Sequence, residues 1–482
     1  MNLKQETQRN LLAVFGLHLF EKAVIFFGLI VLTRLLRPED FGILAIAEIL
    51  ITVIGIWNEH VFEAASIATP KDELFAKTVD TAFLAKFCTS LFLYILLFLA
   101  AGPWADFYND HSIAAVIRVL GLSIVIPDLY FVQYTTLVKE RKFDSIVIPM
   151  MLRAVAFYAL AIFMARAGMG LWSIVISRVV SHVVAAVSFF IIKPRMIRFT
   201  WDREIFNVIF RYIRGMYLLL FFYVLITQVD RMVIGKLLGV GVVGYYAVAS
   251  NFGNWVTNNI LAVSDRVSFP LYAQFQDNGT LLKSMYLKFL KYIMLVSVPF
   301  FTCLFVFARP FILVFLGSRW EGAVIPLRIL CLAGFFGMIG SISNSFLKGV
   351  NRLDIEIKRN SALCILLILL IVPLTLLYGL TGGCIAVLLS FAFTQPLYFY
   401  YSSRIIEIDI RAVMRTCGIF FGASMVAVLF YLVCRQAFMG AVRPGPYDFF
   451  LSVFTYGSAY AAIVLSFMRK EFMEDIRSFV LK

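Results

Sequence analysis

A set of basic residues lies inside long apolar runs of the sequence, where an isolated charge is costly. Its members are Lys22, Arg118, Arg153, Arg178, Arg231 and Arg328. Arginine stays protonated, and its planar guanidinium binds phosphate oxygens in pairs. These residues therefore predict a cavity that holds an anionic group such as a phosphate. Arg118 and Arg328 lie near the ends of their runs, so snorkelling to a membrane surface is the alternative for them.

Acidic and imidazole side chains share the apolar runs with these cations. They are His18, Glu21, Glu48, His182, Asp230 and Asp265. Carboxylates and histidines at such positions are candidates for coupling to H⁺ or Na⁺, and the sequence does not choose among them. For Asp230 and Arg231, which are adjacent, local pairing with other helices is an equally good interpretation. The sequence shows neither the spacing of a metal site nor the acid–base or nucleophilic set of an enzyme.

The runs that carry these residues have the length of membrane-spanning helices. The chain has 482 residues, of which 61% are hydrophobic and 15% are charged, whereas soluble proteins average about 25% charged residues. Runs of about 20 apolar residues, enough to cross a hydrocarbon core of roughly 30 Å, recur from end to end. We predict an all-α integral membrane protein with about 14 transmembrane helices. Their expected ranges are 11–33, 41–62, 81–101, 112–135, 146–165, 171–192, 213–238, 241–264, 286–308, 323–347, 361–378, 382–402, 413–434 and 448–468.

Lysine and arginine concentrate in alternate loops between these runs. The segment 193–203 carries four of them, for example, whereas the segment 104–111 carries none. Cytoplasmic loops hold the excess of positive residues, so both termini are expected in the cytoplasm. The net charge of +14 comes largely from these scattered loop residues. No nucleic-acid-binding motif accompanies it, and nucleic acid is not an expected partner.

An internal repeat divides the predicted helices. Leu36 and Gly42 match Leu238 and Gly244, and Arg118 matches Arg328 in a second stretch with nearly the same offset. The repeat unit holds about six helices, an even number, so both copies enter the membrane in the same direction. We therefore expect two six-helix lobes in a parallel pseudo-twofold repeat, at 1–200 and 201–410. The segment 411–482 is expected to add an extra helix pair and a cytoplasmic tail.

Two loop motifs resemble those of a known transporter family. They are LTRLLRPEDFGILA at 32–45 and QVDRMVIGKLLGVGVVGYYAVA at 228–249. Both are similar to segments of the polysaccharide transporter (oligosaccharide flippase, Wzx-like) branch of the multidrug/oligosaccharidyl-lipid/polysaccharide exporter superfamily. The likeness extends over most of residues 1–410, and the superfamily plan is two six-helix bundles plus an extra pair.

The resemblance implies a flippase of the bacterial inner membrane rather than an enzyme. Its cargo would be a polyprenyl-pyrophosphate-linked oligosaccharide for O-antigen, capsule or exopolysaccharide, moved by alternating access. The basic set would then line the pyrophosphate and glycan cavity. The implied partners are this lipid-linked oligosaccharide, membrane lipids, and a polysaccharide polymerase with export proteins. No cofactor is implied apart from coupling to H⁺ or Na⁺.

Two other activities of the same superfamily stay open. A lipid II flippase would share the helix plan and a basic cavity. A cation-coupled multidrug antiporter would favour an acidic and aromatic cavity, which the excess of basic groups in the first lobe argues against. A membrane enzyme acting on the same lipid is disfavoured because the expected outer loops are short.

Overall fold

The computed structural model is helical throughout its described secondary structure. The described residues are 3–56, 62, 72–195, 198–214, 217–255, 257, 268–438 and 445–480. Clustering of contacts divides the chain into two compact units, Met1–Ala247 and Val248–Lys482. The lobes expected at 1–200, 201–410 and 411–482 rest on the sequence repeat and stay a prediction.

The first unit contains the following helices in chain order: α1 (Leu3–Leu35), α2 (Pro38–Gly55), α3 (Asp72–Tyr108), α4 (Ser112–Leu120), α5 (Leu122–Val125), α6 (Phe131–Lys139), α7 (Phe143–Arg166), α8 (Trp172–Ile192), α9 (Arg203–Arg214), α10 (Tyr217–Leu238) and the start of α11 (Val240–Gly253). A 3₁₀ segment, Ile126–Tyr130, joins α5 to α6. Helix α7 packs along both α1 and α8, and α2 packs against α4 and α10.

The second unit continues with α12 (Gly279–Val306), α13 (Ala308–Phe311), α14 (Val324–Gly349), α15 (Leu353–Ile405), α16 (Ile410–Phe438) and α17 (Pro446–Val480). A π-helical turn, Ile312–Leu316, and a 3₁₀ turn, Ser318–Ala323, connect α13 to α14. Helix α14 packs along α15 and α12, and α16 packs along α17.

Nine helical stretches of the described residues are long and apolar enough to cross a membrane. They are Phe75–Tyr108, Ser112–Lys139, Phe143–Arg166, Trp172–Ile192, Gly279–Val306, Ser318–Gly349, Asp354–Ile405, Val413–Ala437 and Pro446–Phe467. Large apolar side chains stand exposed on their surfaces, among them Phe92, Leu99, Leu369 and Phe454. An apolar surface of this extent is suited to lipid rather than water.

Helix α15 accounts for two of the expected spans. It holds 53 residues and has non-helical backbone angles at Gly379, where φ is 59°. Only glycine adopts that left-handed conformation without strain. A Cβ on Gly382 would lie 1.8 Å from the Leu374 carbonyl oxygen, so the chain folds back on itself tightly at this point. The break separates the spans expected at 361–378 and 382–402.

The helix expected at 112–135 is interrupted rather than continuous. It is divided into α4, α5, the 3₁₀ segment and α6. Pro127 lies in the 3₁₀ segment, and proline cannot donate the backbone hydrogen bond of a regular helix. The described helix α9 was not expected at all. It buries Ile205 in an apolar cluster with Phe83 and Phe131, while Val208 and Phe210 stay exposed.

Proline also shapes the second unit, where Pro299 lies inside α12. Because Pro299 has no N–H, the Leu295 carbonyl loses its helical partner. The Tyr460 hydroxyl of α17 donates to that carbonyl at 3.0 Å. The Tyr456 hydroxyl donates to the Pro299 carbonyl at 3.2 Å. These tyrosines satisfy polar groups that lipid cannot solvate.

The two repeated motifs pack against each other within the first unit. A Cβ added to Gly42 would lie 2.0 Å from the Val240 carbonyl oxygen, and one added to Gly244 would lie 1.8 Å from the Pro38 carbonyl oxygen. The contact is reciprocal, since the repeat that relates Gly42 to Gly244 also relates Pro38 to Val240. Glycine is needed at both positions because the backbones of α2 and α11 approach so closely.

Candidate functional site

An arginine and a glutamate from distant parts of the sequence form an ion pair inside the first unit. Arg178 Nη2 of α8 donates to Glu48 Oε1 of α2 at 3.0 Å. The two side chains are 38% and 33% exposed, so the pair is only partly buried. The other N–H groups of Arg178 make no hydrogen bond with the described residues, which leaves donors for a further anion.

Two more basic side chains lie in the same region. His182 follows Arg178 by one turn of α8 and lies within electrostatic range of both Arg153 and Arg178. Arg153 Nε and His182 Nδ1 are buried and have no hydrogen-bond partner among the described residues. Three basic groups therefore lie near one another, and one of them, Arg178, pairs with Glu48, while Arg153 Nε and His182 Nδ1 stay uncommitted. We refer to Glu48, Arg153, Arg178 and His182 as the basic cluster.

Aromatic side chains of α7 support the basic cluster. The Arg178 guanidinium lies over the Phe157 ring at 5.4 Å from its centroid, a favourable cation–π distance. Next to it, Tyr158 fills the space over Gly28 of α1, where an added Cβ would lie 2.2 Å from the ring. These aromatic residues hold α1, α7 and α8 together and orient the arginine. They were not among the site residues expected from the sequence.

Other residues of the predicted basic set lie elsewhere. Lys22 is half-buried on α1, the helix that packs along the Arg153-bearing α7. Arg118 is exposed and lies over the Phe98 ring at 4.8 Å, an arrangement that fits the snorkelling alternative better than cavity lining. Arg328 is in the second unit, on α14, and its Nε atom is buried without a partner among the described residues.

Asp230 and Arg231 lie together on α10. Asp230 is buried, and it accepts hydrogen bonds from the Tyr246 hydroxyl and from the Arg231 backbone N–H. Tyr246 belongs to the second repeat motif, so this contact ties α10 to α11. The arrangement fits the local-pairing interpretation of Asp230.

Three candidates for ion coupling remain. Glu21 is buried on α1. The side chain of His18 and the whole of Asp265 lie outside the described residues. Within the described part of the chain, no group of three or more His, Cys, Asp or Glu side chains could hold a metal ion.

Sequence reasoning missed a second intramembrane ion pair. Lys86 Nζ of α3 contacts Asp128 Oδ1 in the 3₁₀ segment. The signal was present in the sequence, because both residues fall within expected spans, at 81–101 and 112–135. Their 42-residue separation gave no indication that they pair.

A family model described as "Polysaccharide biosynthesis protein" matches residues 31–325. The succinoglycan biosynthesis transport protein ExoT of Rhizobium meliloti (strain 1021) is 24% identical over 322 residues, covering 67% of this chain and 65% of that protein. The chain thus spans slightly less than two thirds of that relative's length. The lipopolysaccharide biosynthesis protein WzxC of Escherichia coli (strain K12) is 23% identical over 369 residues, covering 76% of this chain and 73% of the other.

A solved structure shares the fold. The lipid II flippase MurJ, in its inward closed conformation, superimposes with a TM-score of 0.76 at 14% sequence identity. The superposition covers 96% of this chain and 100% of that chain. At this level of identity the likeness concerns the fold alone.

Proposed function

We propose that this chain, which belongs to the family of polysaccharide biosynthesis proteins, is a flippase. One of its relatives, ExoT, is by name a succinoglycan biosynthesis transport protein. Its cargo is a polyprenyl-pyrophosphate-linked oligosaccharide. The protein moves this lipid across the bacterial inner membrane for surface polysaccharide biosynthesis. The observation that carries the proposal is the basic cluster and its uncommitted nitrogen atoms.

The chemistry of the cluster suits a pyrophosphate headgroup. A pyrophosphate cannot enter hydrocarbon unaided, because even one unpaired charge there costs several kcal/mol. Arg153 and Arg178 offer charge-assisted hydrogen bonds in place of the lost hydration. Glu48 occupies one donor of Arg178 and keeps the empty site from carrying a large net positive charge. The lipid tail stays in the bilayer.

Alternating access between two lobes is the proposed mechanism. The reciprocal contact of Gly42 and Gly244 supports a parallel repeat in which α2 and α11 are equivalent. Together with the described helices, it supports about 14 spans. The distribution of positive loop residues supports cytoplasmic termini. Fusions of a cytoplasmic reporter and of a periplasmic reporter to Lys482 test that orientation.

The first experiment deletes the gene and measures the amount and sidedness of lipid-linked oligosaccharide in cell extracts. We expect it to accumulate facing the cytoplasm while surface polysaccharide is lost. Complementation with Arg178→Ala should fail at normal protein levels, whereas the matched control Arg118→Ala should restore transport. Unchanged lipid-linked sugar in the deletion strain, with no second transporter in the genome, would overturn the proposal.

The same extracts separate the alternatives. Accumulation of lipid II instead of the polysaccharide intermediate identifies a lipid II flippase. Increased sensitivity to cationic drugs, with normal lipid-linked sugars, identifies a multidrug antiporter. The cluster contains more basic than acidic side chains. This composition disfavours both a cationic cargo and the acidic cavity that such a cargo would need.

A further inference from the structure

The Lys86–Asp128 pair is enclosed more completely than any ion pair of the basic cluster. The Asp128 side chain is 0% exposed and that of Lys86 is 12% exposed. Lys86 Nζ contacts Asp128 Oδ1, and the Ser90 hydroxyl forms a hydrogen bond with the same carboxyl group. Asp128 Oδ2 is buried and has no partner among the described residues. The carboxylate is therefore only half satisfied.

The surroundings of the pair are apolar. Phe83, Phe131 and Val132 belong to one buried cluster at this level of α3 and α6. Lys86 Nζ lies 5.8 Å from the centre of the Phe131 ring. In such an environment, the charged carboxylate depends on Lys86 for its stability.

The charged groups on the neighbouring elements have other partners. Asp80, also on α3, pairs with Arg195 at 3.2 Å. His182 on α8 lies near Arg153 and Arg178. Lys86 is the charged group that acts on Asp128, and Ser90 adds a hydrogen bond, so the protonation state of this carboxyl depends on its burial and on these two contacts.

The pair lies where the helix is interrupted. Asp128 follows Pro127 in the 3₁₀ segment Ile126–Tyr130, and 3₁₀ stretches inside a longer helix often mark hinges. The Lys86–Asp128 contact joins this segment to the continuous helix α3. Breaking the contact would loosen the 3₁₀ segment from α3, while the apolar cluster of Phe83, Phe131 and Val132 still joins α3 to α6.

We propose that Asp128 and Lys86 form a proton-binding site whose occupancy controls the contact between α3 and the 3₁₀ segment. One proton adds to an Asp128 carboxylate oxygen and gives the neutral acid, while Lys86 remains an ammonium ion. The net charge of the site rises from zero to +1. A buried, unpaired ammonium is unfavourable, so the protonated site favours a conformation in which Lys86 reaches water.

The first test measures proton binding directly and does not depend on the proposed cargo. Purified protein in detergent is acidified from about pH 8 to pH 5, a range in which ordinary exposed aspartates stay ionised, and proton uptake is followed with an indicator dye. We expect Asp128→Asn to take up about one proton fewer than the wild type. The control Asp277→Asn, an exposed turn position, should match the wild type.

A second variant guards against misfolding. Lys86→Met/Asp128→Leu removes the site without leaving a buried charge, and such apolar replacements of buried pairs are often tolerated. It should also take up about one proton fewer than the wild type. Equal uptake by the wild type and a folded double variant would overturn the proposal and leave the pair as a structural contact.

The link to transport rests on the proposed function and is tested separately. In the deletion strain complemented with wild type, a protonophore should raise the cytoplasm-facing lipid-linked oligosaccharide, whereas the double variant should not respond. If gene deletion itself causes no accumulation of lipid-linked oligosaccharide, the flippase proposal is refuted. The proton-uptake measurement still shows whether the proton-binding site exists. If both complemented strains respond equally, control of transport by this site is refuted.

Discussion

Replacing Gly244 by alanine tests the contact between the two repeated motifs. The added Cβ would lie 1.8 Å from the Pro38 carbonyl oxygen, whereas ordinary contacts begin near 3.4 Å. The helices α2 and α11 must therefore separate by about 1.6 Å, and overpacking of this kind costs about 1–3 kcal/mol. The higher helix propensity of alanine returns at most about 1 kcal/mol. We expect a net loss of about 1–2 kcal/mol in unfolding free energy.

The assay is thermal unfolding of purified protein in detergent, read by the accessibility of buried cysteines. At about 2–4 °C per kcal/mol, Gly244→Ala should lower the midpoint by about 2–8 °C. Gly42→Ala should act similarly, and the double variant should lose less than the sum because one separation accommodates both methyl groups. The control is Gly418→Ala on α16, where nothing lies within 4 Å of an added Cβ. If Gly244→Ala unfolds at the same temperature as this control, the close approach of α2 and α11 is wrong.

Three further predictions follow from particular contacts. Glu48→Gln should tighten the binding of inorganic pyrophosphate, because it releases Arg178 from its ion pair. The expected gain in affinity is about two- to fivefold, which corresponds to the free energy of one partly exposed ion pair. The measurement is isothermal titration calorimetry, and an unchanged affinity would mean that the pair is unimportant for the site. Tyr460→Phe should cost about 1–2 kcal/mol by leaving the Leu295 carbonyl unpaired, and the thermal midpoint should fall relative to Tyr447→Phe, whose side chain is exposed. Hydrogen bonds from Lys193 and Lys142 lower the pKa of Glu140 below its ordinary value of 4.5, so its contribution to stability is present above that value and is lost as the pH falls through the lowered pKa. The difference in thermal midpoint between wild type and Glu140→Gln should therefore shrink in acid, and a difference independent of pH would contradict this account.

Most of the helical architecture follows from the sequence because apolar runs of sufficient length leave the backbone no alternative in lipid. The same reasoning cannot predict α9, because this helix is amphipathic and lacks an apolar run long enough to span a membrane. Hydropathy also predicts one continuous helix at 112–135, whereas the structure contains a 3₁₀ segment at Pro127. Proline kinks are common in static helices, and the residue alone does not specify the local geometry.

The basic cluster could be predicted only in part. The residue types at Arg153 and Arg178 predict an anionic ligand, His182 is predicted as a candidate for ion coupling, and the spacing places Arg178 and His182 one turn apart. The contact of Arg178 with Glu48 joins residues 130 positions apart, and such a pairing depends on helix packing that hydropathy does not describe. Arg118 had the same residue type in a similar run, yet its side chain is exposed over Phe98. Burial of a charged side chain is thus decided by the neighbouring helix and not by its own.

The tight reversal at Gly379 has a consequence for biosynthesis. Tyr378 on one side of it and the following glycines on the other carry no charge, and no polar loop separates the two halves of α15. During synthesis, the two halves can therefore insert into the bilayer together as a helical hairpin, and no hydrophilic segment has to cross the membrane. An inserted charged epitope after Gly379 would have to be carried across the membrane first, and insertion of this part of the chain should become the slow step in its assembly.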